Sequence, residues 1–237
     1  MEVRVYRGRA DDPTADQATT AALLDRTAET GVPAIRVWRP HRQVAFGRRD
    51  SHAEGYDAAK AAADDRGYHA VDRRVGGRAV AYTGRTLAIA HAVPIDDIRR
   101  GMCDRYGEAS QLLVDALSEL GADVTRGEPN DAYCPGSHSV SGVDGVGQPQ
   151  GKLAGLAQRV QSGAALVAAC LTVTEADVAA LQSVLGPVYH ALGVPFDPST
   201  VGSVATAGGP DDPAVVRQAV EDALVDGRER SLVTVGD

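Results

Sequence analysis

The sequence predicts an α/β chain of the α+β type: a mixed, largely antiparallel sheet flanked by helices. Three observations lead there. Strand-like alternation and helix-like periodicity interleave along the 237 residues, so neither kind of element builds the core alone. Several strand candidates are separated only by short glycine-containing turns. That is hairpin spacing, not the long crossover of a doubly wound parallel sheet. The length suits one sizeable domain, taken as residues 1–237, with 174–237 as a C-terminal helical part.

The elements follow in order. MEVRVYRGR alternates as an edge strand does, and the next stretch to Thr30 reads as a helix capped by Asp12 or Thr14 and stopped by Gly31. PAIRVWRP and QVAFGRR are short strands on either side of the polar corner Pro40-His41-Arg42. Gly55 to Arg66 is an alanine-rich helix ended by Gly67. YHAVDRR, GRAVAYT and TLAIAHAVP read as three strands, the first two joined by Val75-Gly76-Gly77 and the last two by a Thr-Gly turn. A longer helix runs from about Arg100 to Leu120 with Leu112, Leu113, Ala116, Leu117 and Leu120 on one face. The strand ADVTR precedes a long loop, 128–152, rich in glycine and proline; a loop of that length inside a domain is usually functional or disordered. KLAGLAQRV and GAALVAACLTV form a hairpin across Gln161-Ser162-Gly163. A helix capped by Thr174 and a short helix from Pro213 complete the chain.

Composition narrows the function. An apolar fraction of 43%, mostly alanine and valine with two Phe and one Trp, implies a core of small aliphatic side chains. A net charge of −8 argues against a nucleic-acid binder. The cysteines Cys103, Cys134 and Cys170 show no paired spacing, and the N-terminus lacks an apolar leader. No apolar run is long enough to span a membrane, so a cytoplasmic protein is expected.

Three places offer chemistry. Asp72-Arg73-Arg74-Val75-Gly76-Gly77-Arg78-Ala79 lies between two strands. Paired glycines let backbone N–H groups converge on an anion, and Arg73 and Arg74 are suited to clamp phosphate or carboxylate. An ordinary hairpin with solvated arginines fits the same residues. Lys152 is the second. All but two of the 24 basic residues are arginine, and the other lysine, Lys60, lies on a surface helix. A compact ammonium on a flexible stem does what a guanidinium fork cannot, though a lysine can also simply keep a strand edge soluble. Cys134, near His138 in NDAYCPGSHSVSG, is a candidate thiolate nucleophile or a passive loop thiol. Cys170 reads as a core residue, Trp38 and Phe46 as pocket wall or core, and the six histidines form no metal spacing.

In order, VWRPHRQVAFGRR, RxxGGxAV, Asn130-Asp131 and GKLAGLAQR resemble the lipoate–protein ligase family over roughly residues 33–173. That family shares its fold with biotin–protein ligases and octanoyltransferases. GKLAGLAQR, with Lys152 and Gly155 in the family's K-(I/L)-x-G-x-A-x-R pattern, is the most specific piece. The resemblance implies a catalytic domain similar to class II synthetases. It would join lipoate or octanoate to AMP from ATP with Mg²⁺, and pass the acyl group to a lysine of a lipoyl acceptor domain in a 2-oxoacid dehydrogenase or glycine cleavage H protein. By the same resemblance Arg73, Gly76, Gly77, Ala79, Asn130, Asp131, Lys152 and Gly155 hold the nucleotide and acyl-adenylate, and no metal ligand is assigned. Arg78 stands where the family has a third glycine. The chain leaves no room for a full accessory domain, so adenylation is expected to use an accessory subunit. A related octanoyltransferase group carries the acyl chain as a thioester on a loop cysteine, taken from acyl carrier protein without ATP; here that would be Cys134. A non-catalytic acyl- or acceptor-domain-binding protein is the third reading, with biotin transfer below it.

Overall fold

The structure, a computed structural model, describes residues 2–73 and 75–236; Arg74, one of the clamping candidates above, lies outside the described residues. Local chemistry sets the element ends. After β1 (Glu2–Gly8), helix α1 (Pro13–Thr30) starts where Asp12 accepts a hydrogen bond from the Ala15 amide at 2.9 Å. It stops at Gly31, which takes the left-handed conformation (φ 68°). Next come β2 (Ala34–Trp38), β3 (Gln43–Phe46), α2 (Tyr56–Asp64), β4 (His69–Asp72), β5 (Val80–Tyr82) and β6 (Leu87–Pro94). The longer helix α3 (Met102–Glu119) leads to β7 (Val124–Arg126), β8 (Val140–Val143), β9 (Pro149–Gln161) and β10 (Ala164–Leu171). α4 (Glu175–Ala191) opens with a reciprocal capping box between Thr174 and Asp177. A 3-10 turn (Pro198–Thr200), α5 (Pro213–Val225) and β11 (Glu229–Val235) follow.

Eight strands form the main sheet in the order β11-β1-β2-β6-β10-β9-β8-β7, and three form a small sheet in the order β4-β3-β5. The parallel pairs of the main sheet are β1 with β11 and with β2; from β2 onward every pair is antiparallel. The predicted fold class holds. Alternation along β6 sends Leu87 and Ile89 to a core shared with α3 and α5, and Ala90 and Ala92 to the opposite face under α1. A further core joins the small sheet to α2 and α4 through Val44, Phe46, Ala59, Leu181 and Tyr189.

Several expectations need correction. The first strand is not an edge: β11 pairs along its whole length, and Val3 and Val5 are fully buried. Residues 174–237 are therefore not wholly helical, because they end in a sheet strand. Val75-Gly76-Gly77 is not a hairpin turn, since β3 lies between β4 and β5. Nor do β5 and β6 pair across the Thr-Gly turn; they belong to different sheets. The loop from 128 to 152 contains β8, which pairs with β7 and β9. The helix after Thr174 continues past Gly186 and Pro187 to Ala191.

Candidate active site

Three chain segments meet at Cys134: the glycine loop after β4, the turn at 128–139, and the start of β9. Freed from the hairpin, the glycine loop folds back on itself. Gly77 is left-handed (φ 94°), and a Cβ there would stand 2.5 Å from Arg73 Nη2 and 2.7 Å from Cys134 Sγ. A Cβ on Gly47 would overlap the Gly77 carbonyl, so two glycines permit this approach of backbone to backbone. Gly76, by contrast, faces open space among the described residues.

Cys134 is a buried non-glycine residue with φ 45°, a conformation that a side chain adopts only when its surroundings enforce it. Four contacts do so. Its sulfur accepts from Arg73 Nη2 at 3.2 Å and from the Arg78 amide at 3.3 Å. Its amide donates to Tyr189 Oη, which itself donates to the Ala79 carbonyl at 2.9 Å. Its carbonyl accepts from Lys152 Nζ at 2.8 Å. A guanidinium and an amide both directed at one sulfur complement negative charge developing there.

Lys152 is fully buried, and its three donors are all engaged: Glu128 Oε2 at 2.7 Å, the Tyr133 carbonyl at 2.8 Å and the Cys134 carbonyl. The strand is irregular just there. Lys152 pairs with Ser141 while Gln150 pairs with Gly142, leaving Gly151 (φ 71°) as an extra residue that re-aims the lysine inward. Gly155 keeps room for the stem, since a Cβ there would be 3.3 Å from Lys152 Cε. Glu128 also accepts from the Gly136 amide at 2.8 Å and from Ser139 Oγ at 2.7 Å, so one carboxylate and one ammonium brace the whole turn. The sequence reading missed Glu128. A buried ammonium implies a counter-ion, but Glu128, Asp131 and Asp144 all lie in the segment and nothing in their spacing selects one.

Arg78 is tied down rather than free. Its Nη1 lies 3.1 Å from Asp50 Oδ1, and the other oxygen of that buried carboxylate accepts from the Gly47 amide at 2.9 Å. Asp50 and Tyr189 also escaped the sequence reading, because both act from elements distant along the chain. Asn130 and Asp131 are exposed at the outer side of the turn, where the Asp131 carbonyl accepts from the Asp197 amide at 2.9 Å. Cys134 and His138 are not hydrogen-bonded to each other; His138 stacks on Tyr106. Burial pushes the Cys170 thiol up to about 12, so it remains a neutral core residue at pH 7.

A cavity of about 430 Å³ lies between α1 and the sheet. Its walls include Ala88, Ala90, Ala168 and Gly155, residues too small to fill the space under the helix. Arg73 lines it as well, placing the Cys134 sulfur one hydrogen bond from the cavity wall. Trp38 forms another side and is fixed by donating to Asp16 Oδ2 at 2.9 Å, with Arg36 stacked 4.1 Å over its ring. Among the described residues, no cluster of three His, Cys, Asp or Glu side chains is placed to hold a metal ion. No helix among them is long and apolar enough to cross a membrane.

The sequence model of the lipoyl protein ligase A/B catalytic domain matches residues 12–226. The chain belongs to that family. Among curated relatives, a lipoyl-[GcvH]:protein N-lipoyltransferase of Listeria monocytogenes is 30% identical over 127 residues, 53% of this chain and 43% of that protein. An octanoyl-[GcvH]:protein N-octanoyltransferase of Anoxybacillus flavithermus is 32% identical over 129 residues, 54% of this chain and 43% of that protein. The chain thus matches less than half the length of these relatives. Among solved structures, a lipoate-protein ligase A bound with ATP superposes with a TM-score of 0.75 at 20% identity, covering 100% of this chain and 90% of that one. A bipartite lipoate protein ligase of Thermoplasma acidophilum gives 0.72 at 22% identity, over 100% and 88%. These likenesses establish the fold.

Proposed function

We propose that this lipoyl protein ligase A/B family domain is a protein acyltransferase that carries an octanoyl or lipoyl group as a thioester on Cys134. The observation that carries the reading is the sulfur itself. It is held in a left-handed turn, one hydrogen bond from the apolar cavity, with the Arg73 guanidinium and the Arg78 amide as donors. A cavity walled by small aliphatic side chains suits an acyl chain. The relatives named above move octanoyl or lipoyl groups from GcvH to other proteins, which supports an acylated H protein as donor and lipoyl domains as acceptors. In the first half-reaction the Cys134 sulfur attacks the acyl carbonyl, a C–S bond forms, and the donor's leaving group departs with a proton. Arg73 stays beside the sulfur throughout. Lys152 acts as the positioning residue that holds the Cys134 carbonyl, and with it the turn.

The open face of Gly76 favours a second reading, acyl-adenylate formation. In that case Arg73 and the Gly76-Gly77-Arg78 amides would hold the anion, ATP would supply the activating AMP, and an accessory subunit would be a further partner.

Intact-mass spectrometry separates the two. Octanoylated H protein without ATP is expected to add an octanoyl mass to the enzyme, absent in Cys134→Ala. Acceptor acylation only from free octanoate and Mg-ATP, undiminished in Cys134→Ala, would sink the thioester reading and leave the ligase.

A further inference from the structure

The transfer of an acyl group to a lysine has a proton problem. The acceptor arrives as an ammonium, with an ordinary value near 10.4, and must shed two protons before it is an amide. The first is lost to water as the side chain enters. The second leaves nitrogen as the tetrahedral intermediate collapses, and it needs an acceptor at the site.

Most of the ionisable groups around Cys134 are already engaged. Both oxygens of Glu128 accept hydrogen bonds, from Gly136, Ser139 and Lys152. All three donors of Lys152 are directed at oxygens, and both oxygens of Asp50 are taken by Gly47 and Arg78. Tyr189 is bonded on both sides. His138 differs. It sits in the same turn, four residues beyond the nucleophile, and its Nδ1 is buried without a hydrogen-bond partner among the described residues. A buried polar atom left unpaired costs free energy that a bound group can recover. The ring is held rather than adrift, since it lies flat on Tyr106 with centroids 4.7 Å apart and 4° between planes. The neighbouring Ser139 donates to the Glu128 carboxylate at 2.7 Å, and Lys152 links that carboxylate to the Cys134 carbonyl, so the ring is carried on the same braced turn as the sulfur.

From this we infer that His138 is the proton acceptor for the acceptor lysine in the second half-reaction. With the ring proton on Nε2, Nδ1 presents a lone pair. The lysine nitrogen bonds to the thioester carbon, the C–S bond breaks with its electron pair on Cys134, and the remaining amine proton passes to Nδ1. His138 then returns a proton to the sulfur or to water. Run backwards, the same group protonates the amine that leaves an amide-linked donor, which is the difficult part of taking an acyl group from lysine. The assignment rests on the thioester reading above.

The test loads wild type and His138→Gln with octanoyl on Cys134, then follows discharge by intact mass with two nucleophiles. One is the lysine of an acceptor lipoyl domain; the other is hydroxylamine, which is uncharged at pH 7 and reacts without the ordered lysine. Discharge to lysine should fall by about 100-fold or more in the variant, with discharge to hydroxylamine unchanged. Wild-type rates with both nucleophiles overturn the inference, and so does equal slowing of both, the result of a merely structural role. If His138→Gln does not fold, the same pair of rates is read from His138→Phe, which keeps the stacking on Tyr106. Failure of wild type to form any Cys134 adduct overturns the thioester reading itself, an outcome distinct from an adduct that forms and discharges normally without His138.

Discussion

Around Cys134, lysine and arginine divide the work by shape. Lys152 must reach a carboxylate and two successive carbonyls from a single point, which three rotatable N–H bonds on one nitrogen do. A planar guanidinium spreads its donors over a fork and cannot converge them on one point. Lys152→Arg is therefore expected to destabilise about as much as Lys152→Met, on the order of 3 kcal/mol, because each leaves Glu128 without its buried partner. Urea midpoints with unchanged m-values would show it, and a stable Lys152→Arg would refute the shape argument. The lysine was legible in the sequence because it is so rare among the arginines. Its counter-ion was not, because burial and not spacing selects Glu128. Nor could any local pattern have shown that Arg78 would be anchored by Asp50, a contact made only when the turn after β3 meets the glycine loop.

At the scale of elements, small residues on facing surfaces determine what the fold can hold. The α1 face of β6 and β10 presents Ala88, Ala90 and Ala168, and the space left under the helix is the cavity beside Arg73. A larger side chain in that wall should shorten the longest acyl chain accepted. Ala90→Leu is expected to slow octanoyl loading about tenfold relative to hexanoyl, from loss of contact for one to two methylenes at about 0.8 kcal/mol each. A hexanoyl-to-octanoyl ratio unchanged from wild type in competition assays would remove the cavity from the acyl path. The elements themselves were largely readable: caps at Asp12 and Thr174, Gly31 as a stop, and the β9–β10 hairpin stand where their chemistry placed them. Pairing was harder. A glycine turn between two strands looks the same whether they are neighbours or a third strand separates them, so Val75-Gly76-Gly77 read as a hairpin when it is a loop reaching toward Cys134.

Across the whole molecule, one histidine couples stability to acid. His91 on β6 is half-buried on the α3 and α5 side, its Nε2 enclosed and without a partner among the described residues, and desolvation together with Arg228 lowers its value to about 4. Between pH 6.5 and 4 the unfolded chain binds a proton that the folded chain does not, so stability rises with pH across that window and is lost as pH falls. The loss is at most about 3 kcal/mol from this group. Thermal midpoints measured from pH 7 to pH 4.5 should fall more steeply for wild type than for His91→Leu, and parallel curves would show that His91 contributes nothing. The sequence could not anticipate this, nor the strand β11, whose ERSLVTV shows only weak alternation at the sheet's outer edge. That strand has a consequence for how the protein is made. β1 is synthesised before the partner on its outer side, β11, which follows some two hundred residues later in the chain. While those residues are being made, a strand that carries Val3 and Val5 also carries an open row of amides, and a nascent-chain chaperone or simple speed must guard it until β11 arrives to pair with it.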